Sequence, residues 1–159
     1  MLRKKIKSLM ALRKIILRLK SKGKKIVFTN GCFDILHYGH VKYLEDAKGK
    51  GDILVVGINS NASVRQIKGK ARPIVDEKDR LSVIAALESV DYAFLFNEKT
   101  PLKAIETLNP DILIKGSDWG IPSIVGAGFV LANGGKVLTI KLVKGRSTTN
   151  LIKKIAQSP

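Results

Sequence analysis

The chain has 159 residues, 45% of them hydrophobic, which suits one domain with a true core. Its formal net charge is +16 and its one cysteine excludes an internal disulfide. No apolar run approaches the roughly 20 residues needed to span a bilayer, and the N-terminus lacks the continuous apolar stretch of a signal peptide, so a reducing cytoplasm is expected and a membrane is not.

The charge is unevenly placed. Residues 1–25 hold eleven Lys or Arg and no acidic residue, which leaves +5 for the rest. Within 2–21, Leu9, Leu12, Ile15, Ile16 and Leu19 recur at helical spacing. That predicts a basic amphipathic helix packed on the domain or on a second subunit, ended by Gly23. The expected division is therefore a helix over 1–23 and an α/β domain over 24–159. A basic arm also suits nucleic acid or anionic lipid. Aromatics are only 6% and are not interleaved with the basic run, so nucleic acid is not the expected partner.

Ile26-Val27-Phe28 reads as the first buried strand, broken by Gly31, and a helix follows from His37 or Tyr38 to about Lys48. Residues 52–58 form a second strand, nearly continuous in apolar character as parallel strands are. Asn59-Ser60-Asn61 is turn chemistry that caps a short helix, and residues 65–73 form a cationic loop. A helix runs from Asp76 to Val90, and residues 92–96 are strand three. Thr100 caps the next helix, with Pro101 in its first turn. Strand four covers 111–115 and strand five 136–140, with a short helical stretch between them. The last helix starts at Ser147-Thr148-Thr149. Strands alternating with helices predict a Rossmann-like, doubly wound, parallel five-stranded sheet with helices on both faces. Loops 29–40, 59–73, 115–119 and 144–149 all fall at carboxyl ends of strands, where such sheets bind ligands.

The loop after strand one carries the sharpest signal. A glycine turn leading to a helix N-terminus presents unpaired N–H groups and a positive dipole end to an anion. His37 and His40, the only histidines, lie three apart and share one helix face. Gly39 between them lets a phosphate approach the backbone. A helix N-terminus disfavours imidazolium, so at least one of them should be neutral without an anion. Plain surface histidines or a metal pair are the alternatives. Cys32 reads better as a loop residue than as a nucleophile.

The stretch Gly-Cys-Phe-Asp-Ile-Leu-His-Tyr-Gly-His, residues 31–40, resembles the signature of the cytidylyltransferase-like nucleotidyltransferases, which share His-x-Gly-His. Neither a Walker loop nor a Gly-x-Gly-x-x-Gly fingerprint is present at this turn, against a P-loop kinase or an ordinary dinucleotide dehydrogenase. Residues 56–64, 67–74 (Ile-Lys-Gly-Lys-Ala-Arg-Pro-Ile) and 145–152 (Gly-Arg-Ser-Thr-Thr-Asn-Leu-Ile) extend the resemblance from about Lys24 to Ile155. Together these blocks are similar to the heptose 1-phosphate adenylyltransferases of ADP-heptose synthesis for lipopolysaccharide, in their stand-alone form.

That resemblance implies transfer of AMP from ATP, with Mg²⁺, to a sugar 1-phosphate by a homodimer. It assigns His37, His40 and Lys68 to the reacting phosphates and Cys32, Phe33 and Gly39 to a nucleotide-contacting loop. Gly116, Ser117, Asp118 and Trp119 match a second nucleotide loop, with Asp118 toward the ribose. Arg146, Ser147, Thr148 and Thr149 match a terminal phosphate loop, where Ser147 also suits plain N-capping. No resident metal ligands are implied. Trp119 stands where the heptose enzymes often have tyrosine. Leu142 stands where glycerol-phosphate cytidylyltransferases have arginine. Transfer to glycerol 3-phosphate or FMN is the alternative within enzymes, and a nucleic-acid module led by the arm is the alternative outside them.

Overall fold

The computed structural model of the chain describes residues 2–157, with side chains from residue 4 onward. Met1, Ser158 and Pro159, at the ends of the two expected ranges, lie outside the described residues. The elements in order are α1 (Leu2–Lys5), α2 (Leu9–Lys20), β1 (Ile26–Gly31), α3 (Tyr38–Lys48), β2 (Ile53–Asn59), α4 (Asn61–Lys68) and α5 (Glu77–Ala86). There follow β3 (Tyr92–Phe96), α6 (Leu102–Leu108), β4 (Ile112–Gly116), a 3₁₀ turn (Ile121–Ser123), α7 (Ala127–Ala132), β5 (Lys136–Ile140) and α8 (Thr148–Ala156).

The five strands are all parallel and lie in the order β3-β2-β1-β4-β5. Strand periodicity divides their side chains between two cores. Val27, Leu54, Val56, Ala93, Ile112 and Ile114 face a cluster closed by Tyr43 and Leu44 of α3 and Leu81 and Ile84 of α5. Ile26, Phe28, Val55, Phe94 and Leu113 face the other, closed by α2, α6 and α7 through Leu12, Ile16, Ile105 and Val130. Strands apolar on both sides are what a sheet covered on both faces requires.

The chain order reverses between β1 and β4, and there the sheet opens. β1 pairs with β2 over six positions, Ile26 to Gly31. With β4 it pairs only at Val27–Ile112 and Phe28–Leu113. Beyond that point side chains replace the ladder. Thr29 Oγ1 donates to the Ile114 carbonyl at 2.9 Å, Tyr43 reaches the same oxygen at 3.3 Å, and Lys115 Nζ donates to the Asn30 carbonyl at 3.3 Å. A splayed strand pair at a topological switch point is the crevice where open α/β sheets hold ligands.

Four local expectations change. The helix expected from Asp76 to Val90 is shorter, Glu77–Ala86, because Leu87 turns extended at its C-cap. The N-terminal stretch is two helices, because Ser8 adopts an extended conformation and caps α2 by accepting from Ala11 N–H. The chain between them crosses the β3 edge, with Ile6 bridging Ala93 and Lys7 N–H bonded to its carbonyl at 3.1 Å, so that an edge is covered. Leu12 and Ile16 are fully buried against the sheet, and Lys20 pairs with Asp111 at 3.2 Å, so the arm packs on the domain. The cationic loop begins as helix: Arg65 to Lys68 complete α4, capped by Ser60 and anchored by Val64. Pro101, and not Thr100, stands at the N-cap of α6, without a side-chain bond. Among the described residues no helix is long and apolar enough to cross a membrane.

Candidate active site

The first turn of α3 sets the site. His37 is its N-cap, and its Nδ1 accepts from Gly39 N–H at 3.1 Å, which fixes the ring over the helix end. His40 stacks on His37 with ring centroids 3.9 Å apart and meets the Phe33 ring edge-on at 5.4 Å. Phe33 holds a left-handed φ of 48° and is nonetheless buried, a strained geometry maintained by its packing. A Cβ on Gly39 would meet His37 Cε1 at 2.9 Å and Arg146 Cβ at 3.2 Å, so only glycine fits between the histidine and the α8 loop.

Electrostatics keep both rings neutral. Burial, then the neighbouring His37, depress His40 to about 4. Burial, then Arg146, lower His37 as well. His40 Nδ1 is buried and has no partner. Neutral rings crowded by cations are poised to gain protons or donate hydrogen bonds once an anion arrives. Burial raises the Cys32 thiol despite Lys68, Arg80 and Arg72 nearby, which argues against a thiolate nucleophile.

The loop that carries the histidines is held by two buried ions. Arg80 on α5 is 2% exposed and donates to the carbonyls of Cys32 and Val75 and to Asn61 Oδ1. Asp34 accepts from Ile74 N–H, from Val75 N–H at 2.8 Å and from the Arg72 guanidinium. Burial alone would raise Asp34, but the N–H groups of Val75 and Ile74, with Arg72, hold it below the usual carboxylate range. Thus α4, the 69–75 segment and the signature loop form one hydrogen-bonded frame.

A cavity of about 580 Å³ opens over the split between β1 and β4. Of the residues singled out from sequence, Cys32, Phe33, His37, Gly39, His40, Lys68, Gly116, Asp118, Trp119, Arg146, Ser147 and Thr148 line it. Ser117 and Thr149 are exposed and lie outside its lining. Ser147 caps α8 by accepting from Asn150 N–H at 3.1 Å, the plain structural role that was its alternative. Arg72 of the cationic loop lines it too, and lining residues given no role from sequence include Asn30, Asn59, Lys99 and Lys115. Burial lowers Lys115 to about 8, with Cys32 and Asp118 opposing. Its signals in the sequence were a lysine closing the apolar run of β4 and its place at the start of the 115–119 loop. Among the described residues no group of three or more His, Cys, Asp and Glu side chains is placed to hold a metal ion.

The sequence profile of the Cytidylyltransferase-like family matches residues 28–128. The chain is 57% identical over 154 residues to the bifunctional protein HldE of Citrifermentans bemidjiense, covering 97% of this chain and 32% of that protein. It is 53% identical over 140 residues to the bifunctional protein HldE of Campylobacter fetus subsp. fetus, covering 88% and 30%. The chain therefore spans about a third of the length of these curated relatives. Among solved structures, the lipopolysaccharide core biosynthesis protein from Thermoplasma volcanium superposes with a TM-score of 0.62 at 35% identity, covering 78% of this chain and all of that one. Pantothenate synthetase from Thermus thermophilus shares the fold, with a TM-score of 0.67 at 14% identity over 92% of this chain and 67% of that one.

Proposed function

This chain belongs to the cytidylyltransferase-like family of nucleotidyltransferases, and from that premise we propose that it transfers AMP from ATP to D-glycero-β-D-manno-heptose 1-phosphate, giving ADP-heptose and pyrophosphate for lipopolysaccharide core synthesis. The observation that carries the reading is the stacked His37–His40 pair on the first turn of α3, facing a cavity at the switch point with Lys68 and Arg146. The resemblance of the 67–74 and 145–152 blocks to the heptose enzymes supports the choice of acceptor. So do the HldE relatives and the neighbour whose name gives it lipopolysaccharide core biosynthesis. A cytoplasmic homodimer belongs to the same reading and is checked by light scattering.

The chemistry is one displacement. An oxygen of the acceptor phosphate attacks the α-phosphorus of ATP. A P–O bond forms, the bond to the β-phosphate breaks, and its electron pair leaves with pyrophosphate. The attacking phosphate is anionic near neutral pH, so no general base or covalent enzyme intermediate is needed. Catalysis is positioning and charge stabilisation. His40 and His37 meet the phosphoryl oxygens, Lys68 neutralises the reacting phosphates, and Arg146 with Ser147 and Thr148 at the N-terminus of α8 holds the outer ones. Gly116, Asp118 and Trp119 face the nucleoside. In this reading Mg²⁺ would arrive with ATP, held mainly by the substrate phosphates, and would add charge neutralisation to that of Lys68 and Arg146.

The test is product identification. Protein, MgATP and heptose 1-phosphate should give ADP-heptose and pyrophosphate in equal amounts. A folded protein that makes no nucleotide sugar from any sugar 1-phosphate would refute this function.

A further inference from the structure

The cavity straddles the end of the sheet, and the residues that line it from the two faces, termed its two lobes, differ in chemistry. On the α3 side stand the histidines, Gly39, Arg146 and the start of α8, a set suited to phosphates. The other lobe is assigned by strand alternation. Phe28 and Leu113 face the core under α2, α6 and α7, so Asn30 and Lys115, two residues further along β1 and β4, project to that same side. With Asn59, Lys99, Thr100 and Pro101 they line a part of the cavity that the His-x-Gly-His signature does not account for.

Two groups there have unused bonding capacity. Asn30 Oδ1 is buried without a partner. A buried unpaired acceptor is costly, and native proteins rarely keep one without a use. Lys115 spends one N–H on the Asn30 carbonyl, at a long 3.3 Å, where the splayed strands leave that oxygen open. An ammonium group has three donors, so two remain for a ligand. An acceptor oxygen and a multiple donor on neighbouring strands, in a cavity also lined by Pro101, match a polyhydroxylated molecule better than a triphosphate.

We propose that Asn30 and Lys115 read the phospho-acceptor, Asn30 Oδ1 accepting from a sugar hydroxyl and Lys115 donating to sugar or phosphate oxygens of the same molecule. This rests on the adenylyltransferase reading and adds the residues that choose its acceptor. Placed between strands β1 and β4, the pair sets the acceptor beside the histidine lobe, where an in-line attack requires it. Around the ammonium, the titratable groups that face it are Cys32 from the signature loop and Asp118 from the segment after β4.

The experiment is steady-state kinetics of the full chain with MgATP and heptose 1-phosphate, comparing wild type, Asn30→Ala, Lys115→Met and Lys115→Arg. Asn30→Ala and Lys115→Met should each raise the acceptor KM about 10-fold or more, with the ATP KM changed less than about 2-fold. Thermal melting guards against misfolding: Asn30→Ala removes an acceptor that has no partner, so its Tm should not fall. In wild type, acceptor kcat/KM should decline as pH rises through about 8, where Lys115 loses its proton. Lys115→Arg should move that decline upward. An acceptor KM unchanged in both truncations, or an ATP KM that rises as much, overturns the proposal. So does a lower Tm with normal acceptor KM, which would make the pair merely structural. No turnover by wild type on any sugar phosphate is a different result, and it refutes the adenylyltransferase reading itself.

Discussion

On one side of the cavity, the signature loop and the 69–75 segment are tied together by Arg80 and Asp34, 2% and 3% exposed, through bonds that join residues forty or more positions apart. On the other, the segment after β4 bonds mostly within itself: Trp119 N–H to the Gly116 carbonyl and Ser123 to Gly120. The Ser117 N–H bond to the Ile140 carbonyl at 2.9 Å links it to β5, and Trp119 and Leu142 stand about half exposed. The difference separates two tasks. Charge stabilisation needs groups already in place before reaction, and buried ions supply that rigidity. Nucleoside recognition tolerates a softer wall that gains its order from the ligand.

The largest test of this contrast removes the guanidinium. Arg80→Met leaves two carbonyls and the Asn61 amide oxygen without their donor, and should cost about 3–5 kcal/mol in denaturant unfolding. A loss under about 1 kcal/mol would mean the frame does not depend on it. Next is His40→Ala, which should lower kcat about 10²-fold or more while the protein stays folded, the scale of losing one preorganised donor. Near-normal turnover would remove His40 from the chemistry.

Titration gives a smaller but directional effect. His40 titrates at about 4 in the folded chain against an ordinary 6.5. As pH falls from 6.5 towards 4, the unfolded chain takes up a proton that the native one refuses, so stability drops across that window. His40→Ala should flatten the drop. Asp34 is held below its ordinary 3.8, so its contribution is complete above that value and is lost as pH falls through its folded value. Asp34→Asn should remove that acid limb. Stability measured from pH 7 down to 3 in wild type and both variants checks the two signs. Smallest is Trp119→Ala: stability should stay within about 0.5 kcal/mol, as for exposed positions generally, while the ATP KM rises several-fold. A strongly destabilised variant would erase the distinction between the two walls.

The strands and the loops at their ends were legible because their signals are local, whereas the roles of Gly116, Ser117, Asp118 and Trp119 rested on the resemblance. Apolar runs placed all five strands, and the glycine turn with His37 placed the start of α3. The cationic run 65–68 looked like loop since charge there conceals a helix anchored by one buried valine and a serine cap. Arg80, Asp34 and Lys115 were not legible as a frame or a floor. Their partners lie 48, 40 and 85 residues away, beyond the reach of any local pattern. Asn30 was hidden for a different reason: its significance is a bond it does not make.

The central claim, adenylyl transfer to heptose 1-phosphate, is tested most directly by pyrophosphate release in a two-by-two competition. ATP and CTP are each paired with heptose 1-phosphate and with glycerol 3-phosphate, using purified protein and Mg²⁺. Selection between bases by buried hydrogen bonds supports a preference of about 10-fold or more. ATP with heptose 1-phosphate should give the highest kcat/KM, and glycerol 3-phosphate should be a poor acceptor with either nucleotide. If CTP with glycerol 3-phosphate is the better pair, the family stands and the proposed reaction is contradicted.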